Sequence, residues 1–278
     1  MEATSERFIN LCYENGHWMS QLPETLWDVP LYNLSLPGSH DTMTYCLDKS
    51  SDICVNESKL LQMLDKCMPF IVHPIIMKWS KTQDVLLEIF KWLQAHPQEV
   101  VILACRNFVG LTRELHCHLI SCIKKIFHSK LCPRDVVPTL RNMWTNCYQV
   151  IISYEDVTEV MTHCELWPAI PYWWGNKTTA HDLIQYLESM KQNGRPEGFF
   201  VAGINLTEDL EYILAHPFGS LKKMTLSSLP YLIGWIKQQH PGPERKCINI
   251  IAGDFIGNED FVTDVIELNK KNPSITLP

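Results

Sequence analysis

Ser39, His40 and Asp41 are consecutive and follow directly on a Pro37-Gly38 pair. The residues before them, Leu31 to Leu36, form an apolar run that reads as a strand, which Pro37-Gly38 turns. In α/β sheets and barrels the carboxyl end of a strand is where chemistry is placed. A histidine beside a carboxylate can work there as a general base near neutral pH. A turn whose polar residues cap the next segment uses the same residue types, so the local sequence fits both readings.

The elements that must position this loop alternate between strand and helix. After the loop, Ser50 to Glu57 is polar and turn-like, and a helix is expected from Ser58 to Pro69. The next apolar piece, Phe70 to Trp79, is interrupted by Pro74, which argues against a central strand. Thr82 to Ala95 is amphipathic, with Val85, Leu86, Ile89, Trp92 and Leu93 on one face. Glu99 to Phe108 reads as a buried strand ending in Arg106 and Asn107. A helix over Thr112 to Phe127 follows, with Leu115, Leu119, Cys122, Ile123 and Ile126 inward, and then a strand from Gln149 to Ser153. Trp167 to Asn176 is loop-like and aromatic. A helix (Thr178 to Lys191), a strand (Phe199 to Ile204, then Asn205), two helices (Glu208 to Ala215, Leu229 to Gln239), a last strand (Cys247 to Ala252, then Gly253-Asp254) and a helix (Asp260 to Asn269) complete the chain. Polar residues just past each strand are the pattern of a parallel (β/α) barrel. One domain over 1–278 is expected, with 1–30 as an N-terminal cap and the core box at about 31–205.

Composition narrows the function classes. The chain has 278 residues, 46% of them apolar, enough for a sizeable α/β core. No apolar run reaches the length of a membrane span, and the start lacks a basic region followed by an apolar one, so no signal peptide is expected. The eleven cysteines are scattered and no Cys-x-x-Cys occurs, which fits reduced thiols in the cytoplasm. His116, Cys117, His118 and Cys122 do not share one helix face, so no metal is expected there. A net charge of −7 without a basic run argues against nucleic acid and against tight adhesion to anionic lipid. Contact with a membrane surface must then be transient. Nothing in the sequence sets an oligomeric state.

Ser35-Leu36-Pro37-Gly38-Ser39-His40-Asp41 resembles the first catalytic box of the phosphatidylinositol-specific phospholipase C X-domain family. His96-Pro97-Gln98-Glu99-Val100-Val101-Ile102-Leu103-Ala104-Cys105-Arg106-Asn107-Phe108, Tyr172-Trp173-Trp174-Gly175-Asn176 and Ile251-Ala252-Gly253-Asp254-Phe255-Ile256 extend the resemblance over nearly the whole length. It implies an irregular TIM-like (β/α) barrel and the cleavage of a phosphodiester in a phosphoinositide headgroup. It makes His40 the base that takes the proton of the attacking inositol hydroxyl. Asp254 orients that base, and Asp41 matches an aspartate near the general acid. Arg106 matches a substrate-contacting basic residue; Trp174 and Asn205 are further candidates for substrate binding. A strand-end Asp254 can also cap a helix, Arg106 can form a surface salt bridge, and the tryptophans can be a buried wedge. Of these, Trp173 is expected inside and Trp174 outside. Asp rather than Asn after His40, with no acidic cluster nearby, resembles the metal-independent bacterial enzymes, so neither a metal nor a cofactor is implied.

The resemblance has a gap. Family members continue after Lys-Trp-Ser-x-Thr-Gln with a strand like Gly-Val-Arg-Tyr-Leu-Asp-Leu-Arg, which supplies a phosphate-binding arginine. A strand ending in Phe-Val-His, with the acid histidine, comes next. Here Lys78-Trp79-Ser80-Lys81-Thr82-Gln83 runs directly into Asp84-Val85-Leu86-Leu87-Glu88-Ile89, the family's next helix. Ile71-Val72-His73 looks like the missing triplet but precedes the element that it should follow. The chain therefore reads as a member with an internal block deleted, as in a splice variant. Two strands of the barrel and two catalytic groups are absent on this reading, and turnover should be very low.

Overall fold

The computed structural model describes residues 15–40, 70–74, 79–108, 111–216, 219–255 and 260–275. Asp41 and the helix expected from Ser58 to Pro69 lie outside these residues. The chain divides into two compact units, one of Val29–His40 with Ile170–Pro278, the other of Met1–Asp28 with Asp41–Ala169. Strands and helices are numbered below in chain order.

The unit containing His40 has four parallel strands among the described residues, β1 (Leu36–Ser39), β6 (Tyr172–Trp173), β7 (Val201–Gly203) and β8 (Ile250–Gly253). They lie side by side in the order β1-β8-β7-β6, with Ser39 opposite Gly253 and Tyr172 opposite Val201. Helices α6 (Ala180–Asn193), α7 (Leu210–Ala215), α8 (Leu221–Ile236) and α9 (Phe261–Glu267) complete the unit. Its core is made of Leu31, Leu34, Leu36, Phe200, Val201, Ile250, Ile251, Leu229 and Leu232, all buried.

The opening stretch departs from expectation. Leu31–Asn33 is a turn of 3-10 helix, and the strand begins at Leu36, running through Pro37-Gly38 instead of ending there. Leu36 N–H donates to Asn249 O, and His40 N–H donates to Gly253 O. Pro37 is one residue out of phase with both, so its missing N–H removes nothing from the β1–β8 ladder. The entry to β1 is held by two buried amides that hydropathy could not single out. Asn249 Nδ2 donates to Leu31 O and Leu34 O at 3.0 and 2.8 Å. Asn269 accepts from Ser35 N–H at 2.8 Å and donates to Ser35 O at 2.9 Å. Helix α8 begins eight residues before the expected start, where Ser220 Oγ accepts from Lys223 N–H, and it runs through Pro230. The aromatic loop contains β6.

The second unit has, among the described residues, β2 (Phe70–Pro74), β3 (Val101–Arg106), β4 (Val150–Tyr154) and β5 (Leu166–Trp167), again parallel neighbours in sequence order. With them go α1 (Trp18–Gln21), α2 (Trp79–Ala95), α3 (Arg113–Phe127), α4 (Leu140–Thr145) and α5 (Val157–Thr162). Contrary to expectation, Phe70–Pro74 is a strand, paired along its length with β3 from Phe70↔Ile102 to Pro74↔Arg106. Pro74 is its last residue, where a ladder tolerates the loss of a donor. His73 thus stands at the carboxyl end of β2, opposite Cys105.

Helix α2 starts at Trp79, ahead of the expected Thr82. The six residues before the inferred gap therefore partly join the helix after it, because Trp79 to Gln83 contain no helix breaker. Leu86, Ile89, Trp92 and Leu93 are buried as expected. In α3 the inward face is rotated: Leu115 is exposed and His116 is buried. His116 Nδ1 shares a 2.7 Å hydrogen bond with the hydroxyl of the fully buried Tyr154, which satisfies two polar groups in one core position. Burial pushes the Cys105 thiol up to about 12, so it is packing material rather than a nucleophile. No described helix is long and apolar enough to cross a membrane.

Candidate active site

The β1–β8 register brings together residues 214 positions apart. Because Ser39 is opposite Gly253, the next residue on each strand, His40 and Asp254, leaves the sheet side by side. His40 Nδ1 and Asp254 Oδ1 are 3.0 Å apart, and their side chains are 22% and 12% exposed. A carboxylate only accepts, so Nδ1–H donates, and in the neutral ring the lone pair is then on Nε2. The pair can thus hold an imidazole in the tautomer that takes a proton at Nε2, with enough access for a small polar group.

Two more strands of the same unit end beside this pair. The Tyr172 ring lies 5.7 Å from the His40 ring, tilted by 56°. Its hydroxyl donates to Asn205 Oδ1 at 2.8 Å, and Asn205 is buried. Trp174 follows, 53% exposed, with its indole N–H donating to Thr207 Oγ1 at 3.1 Å. Trp173 is buried against Phe200, with ring centroids 4.6 Å apart. Of the expected residues, His40, Asp254, Asn205 and Trp174 therefore belong to one unit. Arg106 closes β3 of the other unit and is partly exposed. Asp41 lies outside the described residues.

Tyr172 and Gly203 carry more of this geometry than their sequence context announces. A Cβ on Gly203 would stand 2.4 Å from the Tyr172 ring and 2.6 Å from Asn205 Oδ1. Only a hydrogen at this position lets the tyrosine cross β7. A glycine inside a strand pattern, two residues before an asparagine, was the available signal.

Phe255, next to Asp254, has φ 53, a left-handed conformation that costs a bulky residue about 1–2 kcal/mol. Phe255→Gly removes that strain. It returns part of the gain as unfolded-chain entropy of about 0.4–1 kcal/mol. Since Phe255 is partly exposed, little burial is lost. The expected net result is a stabilisation of up to about 1 kcal/mol, read as a higher urea midpoint with an unchanged m-value. A lower midpoint would show that the ring's packing outweighs the strain.

A phosphatidylinositol-specific phospholipase C from Listeria monocytogenes superposes with a TM-score of 0.61 and 16% identity over 92% of this chain and 98% of its own. A Staphylococcus aureus phosphatidylinositol-specific phospholipase C gives 0.62 and 12%, over 93% and 99%. The fold is accordingly α/β, of the irregular TIM-like barrel type of these phospholipases. Human PI-PLC X domain-containing protein 1 is 52% identical over 300 residues, 92% of this chain and 93% of the relative. The mouse protein of the same name is 48% identical over 301 residues, 93% of this chain and 87% of its own. The chain belongs to the PI-PLC X domain-containing protein family. No protein-family model matches it. The 300 matched positions exceed the 278 residues present here, so part of the relative has no counterpart in this chain.

Proposed function

We propose that this chain is a phosphoric diester hydrolase of the phosphatidylinositol-specific phospholipase C type, acting on a phosphoinositide headgroup in the cytoplasm, with low turnover of its own. The 3.0 Å contact between His40 and Asp254 carries the reading. His40 Nε2 takes the proton of an inositol hydroxyl as it attacks phosphorus; Asp254 holds the imidazole for that transfer. Asn205 and Trp174 contribute headgroup contacts, Arg106 contributes charge, and Asp41 belongs to the acid side. The whole chain acts as one X-type domain, without cofactor or metal. Hydrolysis of phosphatidylinositol vesicles by the purified protein tests the reading. Slow release of a water-soluble inositol phosphate, lost in His40→Ala, is the expected result; release that survives the substitution sinks the assignment. His73→Ala is expected to leave the rate within about twofold, since His73 precedes the Lys78-Trp79-Ser80 element.

A second reading is favoured by the residues that have no counterpart here. Without the acid and the arginine, the remaining pocket grips a headgroup and does not cleave it. Vesicle binding without turnover supports this reading, and absence of binding to any phosphoinositide removes it.

Contact with the bilayer is transient and apolar. Helix α7 buries none of its residues and exposes Leu210, Ile213 and Leu214; it follows β7 as Trp174 follows β6 and Phe255 follows β8. The strands that they follow run parallel to β1, whose carboxyl end carries His40. Leu214→Asp is expected to weaken sedimentation with phosphatidylinositol vesicles by about tenfold, because a buried leucine is worth about 1.5–3 kcal/mol. Unchanged sedimentation would exclude α7 from the contact.

A further inference from the structure

We propose that Tyr172 is a positioning residue that fixes two groups of the site at once, the ring of His40 and the amide of Asn205. The inference rests on the reading of His40 as a proton acceptor and names how that acceptor and a headgroup contact are held in common.

Tyr172 starts β6, which lies two strands from β8 and its Asp254, with β7 between them. A side chain from β6 reaches His40, at the end of β1, only by crossing the ends of β7 and β8, and β7 comes first. The residue there is Gly203, and any Cβ on it would overlap the Tyr172 ring, the Tyr172 hydroxyl (2.8 Å) and Asn205 Oδ1. The crossing therefore depends on one missing side chain. Once across, the ring flanks His40, whose Nδ1 is tied to Asp254. The imidazole is thus confined by a hydrogen bond at one atom and by an aromatic wall beside it.

The other end of Tyr172 acts on Asn205. A phenol hydroxyl has one proton to give, and the amide oxygen is a pure acceptor. In the 2.8 Å contact the hydroxyl donates to the amide oxygen, so Oδ1 is the atom turned towards Tyr172. The two amide protons are then what Asn205 offers a ligand, suited to the acceptor oxygens of a phosphate or a polyol. A single side chain thereby sets a proton acceptor after β1 and a hydrogen-bond donor after β7.

Three variants separate this role from plain packing: Tyr172→Phe, Tyr172→Leu and Gly203→Ala, each first checked for a cooperative melt. Long-range proton–nitrogen spectra report the His40 tautomer, and side-chain amide signals report Asn205. Tyr172→Phe is expected to leave His40 as in the wild type while shifting the Asn205 amide signals. Tyr172→Leu and Gly203→Ala are expected to disturb both, the second by steric displacement alone. Binding of inositol 1-phosphate should weaken about five- to tenfold in Tyr172→Phe. Adding Asn205→Ala should cost little more, because the two act as one unit. His40 and Asn205 signals unchanged in folded Tyr172→Leu and Gly203→Ala would overturn the proposal. If those two do not fold, unchanged Asn205 signals in Tyr172→Phe overturn it. A wild-type protein that neither binds inositol 1-phosphate nor cleaves lipid refutes the headgroup reading instead, and the spectra still decide the role of Tyr172.

Discussion

Reinserting, after Gln83, the block that family members carry there is expected to raise phosphatidylinositol turnover by at least about a thousandfold. A positioned general acid contributes about 10²–10⁴, and a donor that stabilises transition-state charge contributes about 10²–10³. The family resemblance assigns one of each to the block. The residues left here supply a base and its orienting carboxylate, His40 and Asp254 at 3.0 Å, which is half of an acid–base pair. The insertion point falls inside α2, whose start at Trp79 lies before Gln83. Reinsertion must therefore split that helix, and the restored protein should be checked for a cooperative melt before rates are compared. His40→Ala in the restored chain should remove the whole gain. A folded, restored protein no faster than the parent would mean that the missing block does not limit turnover. A gain that persists without His40 would remove it as the base.

The second large effect concerns Glu99 and the stability of the other unit. Glu99 is 1% exposed, and its Oε1 accepts from Met19 N–H at 3.1 Å, tying α1 to the start of β3. Burial pushes its carboxyl from 4.5 up to about 8, against the opposing effect of backbone hydrogen bonds from Met19 and Ser20. The folded protein thus keeps a proton at pH values where the unfolded chain has lost it. Below about pH 4.5 both states are protonated and the term is absent; as pH rises towards 8, stability falls, and above 8 the loss is constant. The slope for one such proton is about 1.4 kcal/mol per pH unit, so the total is on the order of a few kcal/mol. Glu99→Gln keeps an acceptor for Met19 N–H and abolishes the titration. Its unfolding free energy should match the wild type near pH 5 and exceed it by a few kcal/mol at pH 9. Parallel pH profiles for the two proteins would show that Glu99 is ionised in the fold at little cost.

Much of this protein is legible in its sequence because the signals are local. Apolar periodicity located α2, β3, β4 and β8 to within a few residues, and a proline-glycine pair marked the end at which His40 sits. The same local logic failed where a partner elsewhere decides. Pro37 does not end β1, because its nitrogen points away from β8. Pro74 does not abolish β2, because it stands last. Leu115 and His116 exchange sides because Tyr154 needs a polar partner in the core. Motif spacing could pair His40 with Asp254 by resemblance, but their distance follows from the register of two parallel strands. Glu99 opens a strand that is expected to be buried, but its partner, Met19 N–H, lies 80 residues away in α1.

What the sequence by itself determined is the family, the alternation of strands and helices, and the absence of a block that relatives possess. What only the tertiary structure decided is how side chains meet: His40 Nδ1 3.0 Å from Asp254 Oδ1, and Tyr172 passing over Gly203 to Asn205. The physical reason is range. Propensity and periodicity act within a few residues, whereas a catalytic contact is set by strand order, register and the space that a single missing Cβ leaves open.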